Sequence, residues 1–214
     1  MLNLEPIEII SAKEKVCSQL RKAIFSREIA EGTELILESI ATSLGVSVTP
    51  VREALQVLQR DGLIEYKKNK RAVVLGLNEK YISDHYDLRA ILEGEACYLT
   101  VINKGSLEKL INSYEAAKAE IAKKNFSDYS NYNYAFHLEI WKLAKNDKLI
   151  TTLKDLWNGL SVNKIMSNAE YAKMSMKEHK EILDALIAEN GELARDLMRQ
   201  HLYRSKESIL THYR

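Results

Sequence analysis

Apolar residues recur every three or four positions along most of this chain, a spacing typical of amphipathic α-helices. In the first third of the chain the spacing predicts three helices, over residues 8–28, over 38–44, and from Ser47 or Thr49 to Gly62. Short apolar runs predict three strands, over residues 34–37, 63–66 and 72–75. Gly45 follows the second helix, where glycine commonly ends a helix, and Pro50 falls in the first turn of the third, where proline is tolerated.

Helix-breaking residues are concentrated near the N-terminus. Both prolines, Pro6 and Pro50, and half of the eight glycines precede residue 78. This shift predicts a small, turn-rich domain over residues 1–77 and a larger helical domain over 78–214. In the second domain the apolar period predicts six helices, over residues 83–103, 106–124, 126–145, 147–168, 174–190 and 191–212. We therefore expect a mainly α protein whose C-terminal domain is an all-α bundle.

Two short helices around a glycine turn, followed by a hairpin, are typical of a winged helix-turn-helix. The second of these helices places its N-terminal side chains at base edges and phosphates, and a basic hairpin tip can approach the adjacent DNA backbone. The predicted DNA-binding residues lie at these two positions: Ser47, Thr49, Arg52, Gln56, Lys68, Lys70 and Arg71. The basic run alone would fit a solvated surface equally well.

Composition excludes several classes of protein. With 31 Lys and Arg against 30 Asp and Glu, the net charge of +1 neither requires nor forbids nucleic acid. No apolar run approaches the ~20 residues that span a bilayer, and the N-terminus lacks a signal-peptide pattern. Two cysteines, Cys17 and Cys97, cannot form a disulfide scaffold. We therefore expect a cytoplasmic protein without a membrane partner.

Three of the five histidines fall on three separate predicted helices: His137, His179 and His201. Asn133 precedes His137 by four residues and so shares its helix face. Imidazoles that converge in a bundle form a plausible site for zinc, nickel, copper or iron. The alternative is a polar, water-filled pocket with three hydrogen-bonded histidines. The two other histidines, His85 and His212, are expected to be structural or exposed.

Arg89 lies on the first helix of the C-terminal domain and has two interpretations. It could hold a carboxylate ligand through a bidentate pair of hydrogen bonds, or it could form an ion pair with Glu93 one turn later. Tyr129, Tyr132 and Tyr134 could likewise line a pocket or only pack their helix.

Residues 38–74 resemble the DNA-binding domain of GntR-family transcriptional regulators. The matching stretches are Leu44-Gly45-Val46-Ser47, Thr49-Pro50-Val51-Arg52-Glu53-Ala54-Leu55 and Gly62-Leu63-Ile64. Arg89-Ala90-Ile91-Leu92-Glu93 and Phe136-His137 resemble the FCD domain of the FadR-like subfamily. The resemblance implies a ligand-responsive regulator, most often a repressor, that binds a palindromic operator in double-stranded DNA as a homodimer.

The resemblance also implies a cofactor. Many FCD domains bind a divalent metal through an Asp four residues before a His and through two later histidines. The corresponding residues here are Asn133, His137, His179 and His201, so a neutral amide stands where the family has a carboxylate. We expect zinc or nickel, with a small organic acid as the effector that engages the metal and Arg89.

Two other functions remain as alternatives. One is a metal-dependent enzyme that uses the histidine site, which the absence of H-E-x-x-H and G-x-S-x-G motifs disfavours. The other is a fatty acyl-CoA sensor without metal, like the protein that names the subfamily. The retained histidines favour the metal-binding branch.

Overall fold

The structure is a computed structural model that describes residues 11–68, 71–76, 79–126, 129–157 and 169–213. The chain divides into two compact units, Met1–Leu77 and Asn78–Arg214. Lys70 and the predicted helical residues 158–168 lie outside the described residues, as does the predicted start of the first helix.

The first helix, α1, spans Ala12–Phe25 and begins with a capping box. The Ser11 hydroxyl accepts from the Glu14 amide at 3.2 Å, and the Glu14 carboxylate accepts from the Ser11 amide at 3.0 Å. The predicted end at residue 28 was too late, because Ser26 already caps the helix and Arg27 has a positive φ of 60°. The S-x-x-E signature of this cap was available in the sequence.

Two more helices complete the helical part of the first unit. Helix α2 spans Leu37–Leu44 and ends at Gly45, whose φ of 64° is left-handed. Helix α3 spans Val48–Arg60, with Ser47 as its N-cap residue, although the Ser47 side chain makes no cap hydrogen bond. One face of α3 is fully buried and packs on α1; its buried residues are Val51, Ala54, Leu55 and Leu58.

A small antiparallel sheet follows the helices. Its strands are β1 (Glu34–Leu35), β2 (Ile64–Tyr66) and β3 (Ala72–Val74), in the order β1-β3-β2. The predicted strand over 34–37 is shorter than expected because α2 already begins at Leu37. Tyr66 pairs with Ala72, and the Lys67 amide donates to the Arg71 carbonyl at 2.9 Å. Strands β2 and β3 therefore form the wing of a winged helix-turn-helix.

The described part of the second unit consists of six helices and contains no strand, as predicted. They are α4 (Glu79–Ile102), α5 (Glu108–Ala122), α6 (Tyr129–Leu143), α7 (Asp147–Trp157), α8 (Ala169–Ile187) and α9 (Gly191–Tyr213). Helix α8 begins five residues earlier than predicted, because Tyr171 and Ala172 extend its buried face. None of the described helices has the length and apolar character needed to cross a membrane.

Helix α4 lies at the centre of the bundle, packed against α6, α7, α8 and α9. At Gly94 it approaches α9 closely: a Cβ there would lie 3.0 Å from Arg199 Cγ and 3.2 Å from the Arg195 carbonyl oxygen. A Cβ at this position would require Arg199 or the backbone of α9 to shift by a few tenths of an ångström. The neighbouring Glu93 is buried in the bundle with no exposed surface and contacts His137 and Trp141 on α6.

Candidate metal centre and nucleic-acid interface

Three imidazole rings meet inside the helical unit. His137 on α6, His179 on α8 and His201 on α9 each offer one nitrogen, and these nitrogens lie within 4.8 Å of one another. None of the three side chains is more than 2% exposed. The structure therefore brings together the three histidines that the sequence singled out.

Each ring is held by a different neighbour. His137 Nδ1 lies 2.5 Å from Glu93 Oε2, and His201 Nδ1 lies 2.6 Å from Glu178 Oε2. The His179 ring stacks on Phe136, with 4.2 Å between ring centroids and 13° between ring planes. These contacts fix the three rings without using every ring nitrogen.

The unused nitrogens fit a metal ion. Nε2 of His137 and Nε2 of His179 are buried and have no hydrogen-bond partner among the described residues. A buried polar atom without a partner is costly in a folded protein. Neutral imidazole nitrogens are suitable ligands for divalent transition metals. The donor set thus could hold such an ion.

Asn133 lies one turn before His137 on α6 and is buried, with 3% exposure. Its Oδ1 is 3.5 Å from the Tyr129 hydroxyl, at the limit of a hydrogen bond. Of the three tyrosines considered from the sequence, Tyr129 is buried beside Asn133, whereas Tyr134 packs against Trp157 with 5.3 Å between centroids. Tyr132 is partly exposed.

The two glutamates beside the histidines are charged. Burial raises the pKa of Glu93, but the charges of Arg89 and His137 and their hydrogen bonds outweigh this effect and lower the pKa to about 2. Burial also raises the pKa of Glu178, and hydrogen bonds from His201 and Arg204 lower it to about 2. Each glutamate therefore acts as a carboxylate acceptor for the ring beside it.

Burial has the opposite consequence for the histidines. Burial lowers the pKa of His179 well below its usual value, and the neighbouring His201 and His137 add to this effect. Burial also lowers the pKa of His201 to about 4, although Glu178 partly opposes the change. Both rings are consequently neutral at neutral pH, which is the form that binds metal ions.

Arg89 is buried and forms an ion pair with Glu93, which is one of the two roles that the sequence predicted for it. Its Nη2 and Nε lie 2.6 Å and 2.7 Å from Glu93 Oε1. The Arg89 guanidinium also lies against Trp157, with 4.5 Å from Cζ to the ring centroid. Nearby, the Tyr86 hydroxyl is fully buried without a hydrogen-bond partner among the described residues.

The sequence predicts Glu93 only as a partner of Arg89, and it does not indicate the contact of Glu93 with His137 or the roles of Glu178, Arg204 and Tyr86. Glu93 lies 44 positions from His137, and Glu178 lies next to His179 in sequence but contacts His201. No local spacing reveals such pairs, because they depend on how helices pack. Of the other histidines, His85 is buried and stacks on Tyr81, with 6.0 Å between centroids, while the side chain of His212 lies outside the described residues.

The winged helix-turn-helix presents its predicted DNA-binding side chains to solvent. The exposed members are Ser47, Thr49, Arg52, Gln56, Lys68 and Arg71. Arg71 pairs with Glu34 at 3.0 Å while its side chain stays 60% exposed. Arg52 makes no ion pair with any described residue. The N-terminal half of α3 thus presents polar groups and one unneutralised cation.

Comparison with protein families agrees with the fold of both units. Residues 12–74 match the family of bacterial regulatory proteins described as gntR, and residues 84–204 match the FCD domain. This chain belongs to the GntR family and carries a C-terminal FCD domain. The resemblance and the fold class expected from the sequence are both confirmed.

Individual relatives support this assignment. The chain is 32% identical over 150 residues to the gluconate operon transcriptional repressor of Bacillus subtilis, a match that covers 68% of this chain and 59% of that protein. It is 30% identical over 199 residues to the "Probable D-xylose utilization operon transcriptional repressor" of Paenarthrobacter nicotinovorans, covering 87% of this chain and 85% of that protein. The match therefore spans less than two thirds of the gluconate repressor.

Among solved structures, the chain is similar to E. coli McbR/YncC, with a TM-score of 0.71 and 22% sequence identity. The match covers 96% of this chain and 100% of that chain. At this level of identity the comparison supports the fold.

Proposed function

We propose that this protein is a transcriptional regulator that binds operator DNA through its winged helix-turn-helix and responds to a small carboxylate in its helical unit. The observation that carries the proposal is the exposed polar face at the start of α3, where Arg52 has no acidic partner among the described residues. Such a face supplies both the phosphate contacts that position a protein on DNA and the base contacts that specify sequence.

The regulator acts as a repressor and as a homodimer. Two relatives carry the word repressor in their names. One small winged helix-turn-helix makes few contacts with DNA, and a dimer doubles them on a palindromic operator whose symmetry mirrors its own.

The helical unit holds a divalent transition metal, zinc or nickel, through His137, His179, His201 and the amide oxygen of Asn133. Support comes from the convergence of three ring nitrogens within 4.8 Å and from the buried Nε2 atoms that have no partner among the described residues. An ion held there supplies open coordination positions for a ligand. The lowered pKa values of His179 and His201 leave both rings neutral at neutral pH, so metal binding need not displace protons from them.

The effector is an anion. The positive charges of Arg89 and Arg204 are neutralised by ion pairs, Arg89 with Glu93 and Arg204 with Glu178. A divalent ion would therefore bring its two positive charges into a buried site without a compensating residue, because Asn133 is neutral. A carboxylate beside the ion and Arg89 reduces that imbalance, and the Tyr86 hydroxyl is a further group that could bond to it.

The effector changes DNA binding only if its affinity differs between the DNA-binding form of the dimer and the other form.

The alternative of a metal-dependent enzyme is disfavoured, because the family consists of regulatory proteins. The acyl-CoA sensor is disfavoured because three buried histidines converge in the helical unit, which favours a metal-binding domain.

The experiment is a gel-shift titration with DNA from upstream of the protein's own gene, in the presence and absence of zinc and a panel of small organic acids. We expect a retarded complex with the specific DNA that at least one acid weakens. Equal affinity for this DNA and for random DNA of the same length would contradict the proposal.

A further inference from the structure

We propose that Glu178 and Glu93 are positioning residues for the metal site: each holds one histidine in the tautomer that directs its Nε2 lone pair towards the shared metal position. This inference rests on the proposed metal-binding function and deepens it. It concerns residues outside the set of four ligands. It assigns a task to the buried Arg89–Glu93 pair within α4 and to the partly buried Arg204–Glu178 pair between α8 and α9.

The first positioning group consists of Arg204, Glu178 and His201. Arg204 Nε donates to Glu178 Oε1 at 2.9 Å, and Arg204 Nη2 donates to Oε2. The same Oε2 lies 2.6 Å from His201 Nδ1. Because both carboxylate oxygens are held by the arginine, the glutamate presents a fixed acceptor to the ring.

The second group repeats this order on different helices. Arg89 donates to Glu93 Oε1, and Glu93 Oε2 lies 2.5 Å from His137 Nδ1. Trp141 Nε1 also donates to Oε2, at 3.2 Å. The first group joins α8 to α9 and the second joins α4 to α6. The same arginine–glutamate–histidine order on two independent helix pairs, both ending at the same three-histidine cluster, points to a shared task.

The task follows from the chemistry of imidazole. A neutral ring has one N–H and one lone pair, and a carboxylate can only accept a hydrogen bond. In the neutral form that binds a metal, His137 and His201 would therefore carry the proton on Nδ1, beside the carboxylate, and the lone pair on Nε2. Metal-binding histidines commonly donate their other N–H to a carboxylate, which fixes the ring and raises the basicity of the ligand nitrogen.

His179 provides an internal contrast, because its ring stacks on Phe136 instead. Its Nε2 is buried without a partner among the described residues, like that of His137. Two of the three rings are thus oriented by carboxylates and the third by an aromatic plane. Asn133 contributes no charge to the site. The glutamates make the ligand nitrogens of His137 and His201 more basic, so they matter more for holding a cation here than in a site with a carboxylate ligand.

The test compares Glu178→Gln with Glu181→Gln. Glutamine keeps the volume of glutamate, and Glu181 lies on the same helix with a 48% exposed side chain, so the control makes the same charge change away from the site. Zinc affinity is measured by competition with a chelator, the cobalt-substituted proteins are compared by visible absorption, and melting temperatures are recorded without metal. Nitrogen-15 NMR of the histidine rings reports the tautomer of His201 in metal-free protein.

We expect Glu178→Gln to weaken zinc binding by about tenfold or more, the usual effect of removing such a partner, and to alter the cobalt spectrum and reduce the Nδ1–H tautomer of His201. Glu181→Gln should behave as wild type. A lower melting temperature with unchanged zinc affinity would show a purely structural ion pair and overturn the inference, as would an Nε2–H tautomer in wild type. Failure of wild type to bind zinc would instead contradict the metal-binding function on which the inference rests.

Discussion

The indole ring of Trp157 lies against the guanidinium of Arg89, with 4.5 Å between Arg89 Cζ and the ring centroid. Trp157 is also 5.1 Å from the centroid of His137, and the other tryptophan, Trp141, donates to Glu93 at 3.2 Å. Both tryptophans of the chain therefore contact the candidate metal and effector site. Their fluorescence is a direct reporter of what binds there.

We predict that Ni²⁺, a paramagnetic ion, quenches the intrinsic fluorescence of the protein, and that an organic acid that binds beside Arg89 changes it further. The physical reason is the short distance from both indoles to His137. Trp141→Phe isolates the emission of Trp157 and is titrated in parallel. Unchanged emission in a titration where calorimetry detects binding would place the ligand elsewhere in the protein.

Asn133→Asp distinguishes a metal site from a metal-free polar pocket by the sign of its effect. If the histidines hold a metal, the new carboxylate attracts the cation and the melting temperature with added zinc rises. Asn131→Asp adds the same charge to an exposed position on the same helix and serves as the control. A metal-free pocket predicts lower stability of Asn133→Asp both with zinc and with chelator, because the charge is buried without a partner.

Arg52→Ala should weaken operator binding, because it removes an exposed cation from the start of α3. A guanine contact would make the loss about 1–3 kcal/mol and relax sequence preference at one position. Arg60→Ala removes another exposed cation, at the other end of α3 and with a 78% exposed side chain, and should have little effect. Fluorescence anisotropy with operator DNA measures both, and equal losses for the two variants would contradict the assigned orientation of the recognition helix.

Acid should destabilise the metal-free protein between about pH 6.5 and 4. The usual histidine pKa is 6.5, and burial lowers the pKa of His201 in the folded protein to about 4. Within this range the unfolded chain binds a proton at this residue that the native state excludes, so the free energy of unfolding falls as the pH falls. Thermal unfolding of chelator-treated protein at several pH values measures the slope. The slope should be smaller in His201→Gln, and an identical slope in wild type and variant would contradict the prediction.

The element types could be predicted from the sequence because each depends on local spacing. Gly45 ends α2 as expected, since its left-handed φ is favourable for glycine. The predicted bounds of β1 and α8 were less accurate, because packing decides where a strand or helix begins and ends. In α8, for example, the buried Tyr171 extends the helix towards its N-terminus, and the spacing of apolar residues does not indicate this burial.

The candidate site could likewise be predicted only in part from the sequence. His137, His179 and His201 could be selected because they fall on three separate predicted helices and match the metal-binding histidines of the FCD domain that the sequence resembles. The glutamates that hold two of these rings could not be selected, since their partners are 44 and 23 positions away along the chain. Such contacts depend on helix packing, and one part of that packing is the close approach of α4 to α9 at Gly94.

We propose that the three buried histidines bind a divalent metal in a dimeric regulator. Native mass spectrometry combined with elemental analysis, on protein purified without chelator, measures the metal content and the dimer mass together. We predict a dimer that carries one zinc or nickel ion per chain, and loss of that ion in His179→Ala. Metal-free wild-type protein that also fails to take up zinc or nickel on incubation would contradict the claim.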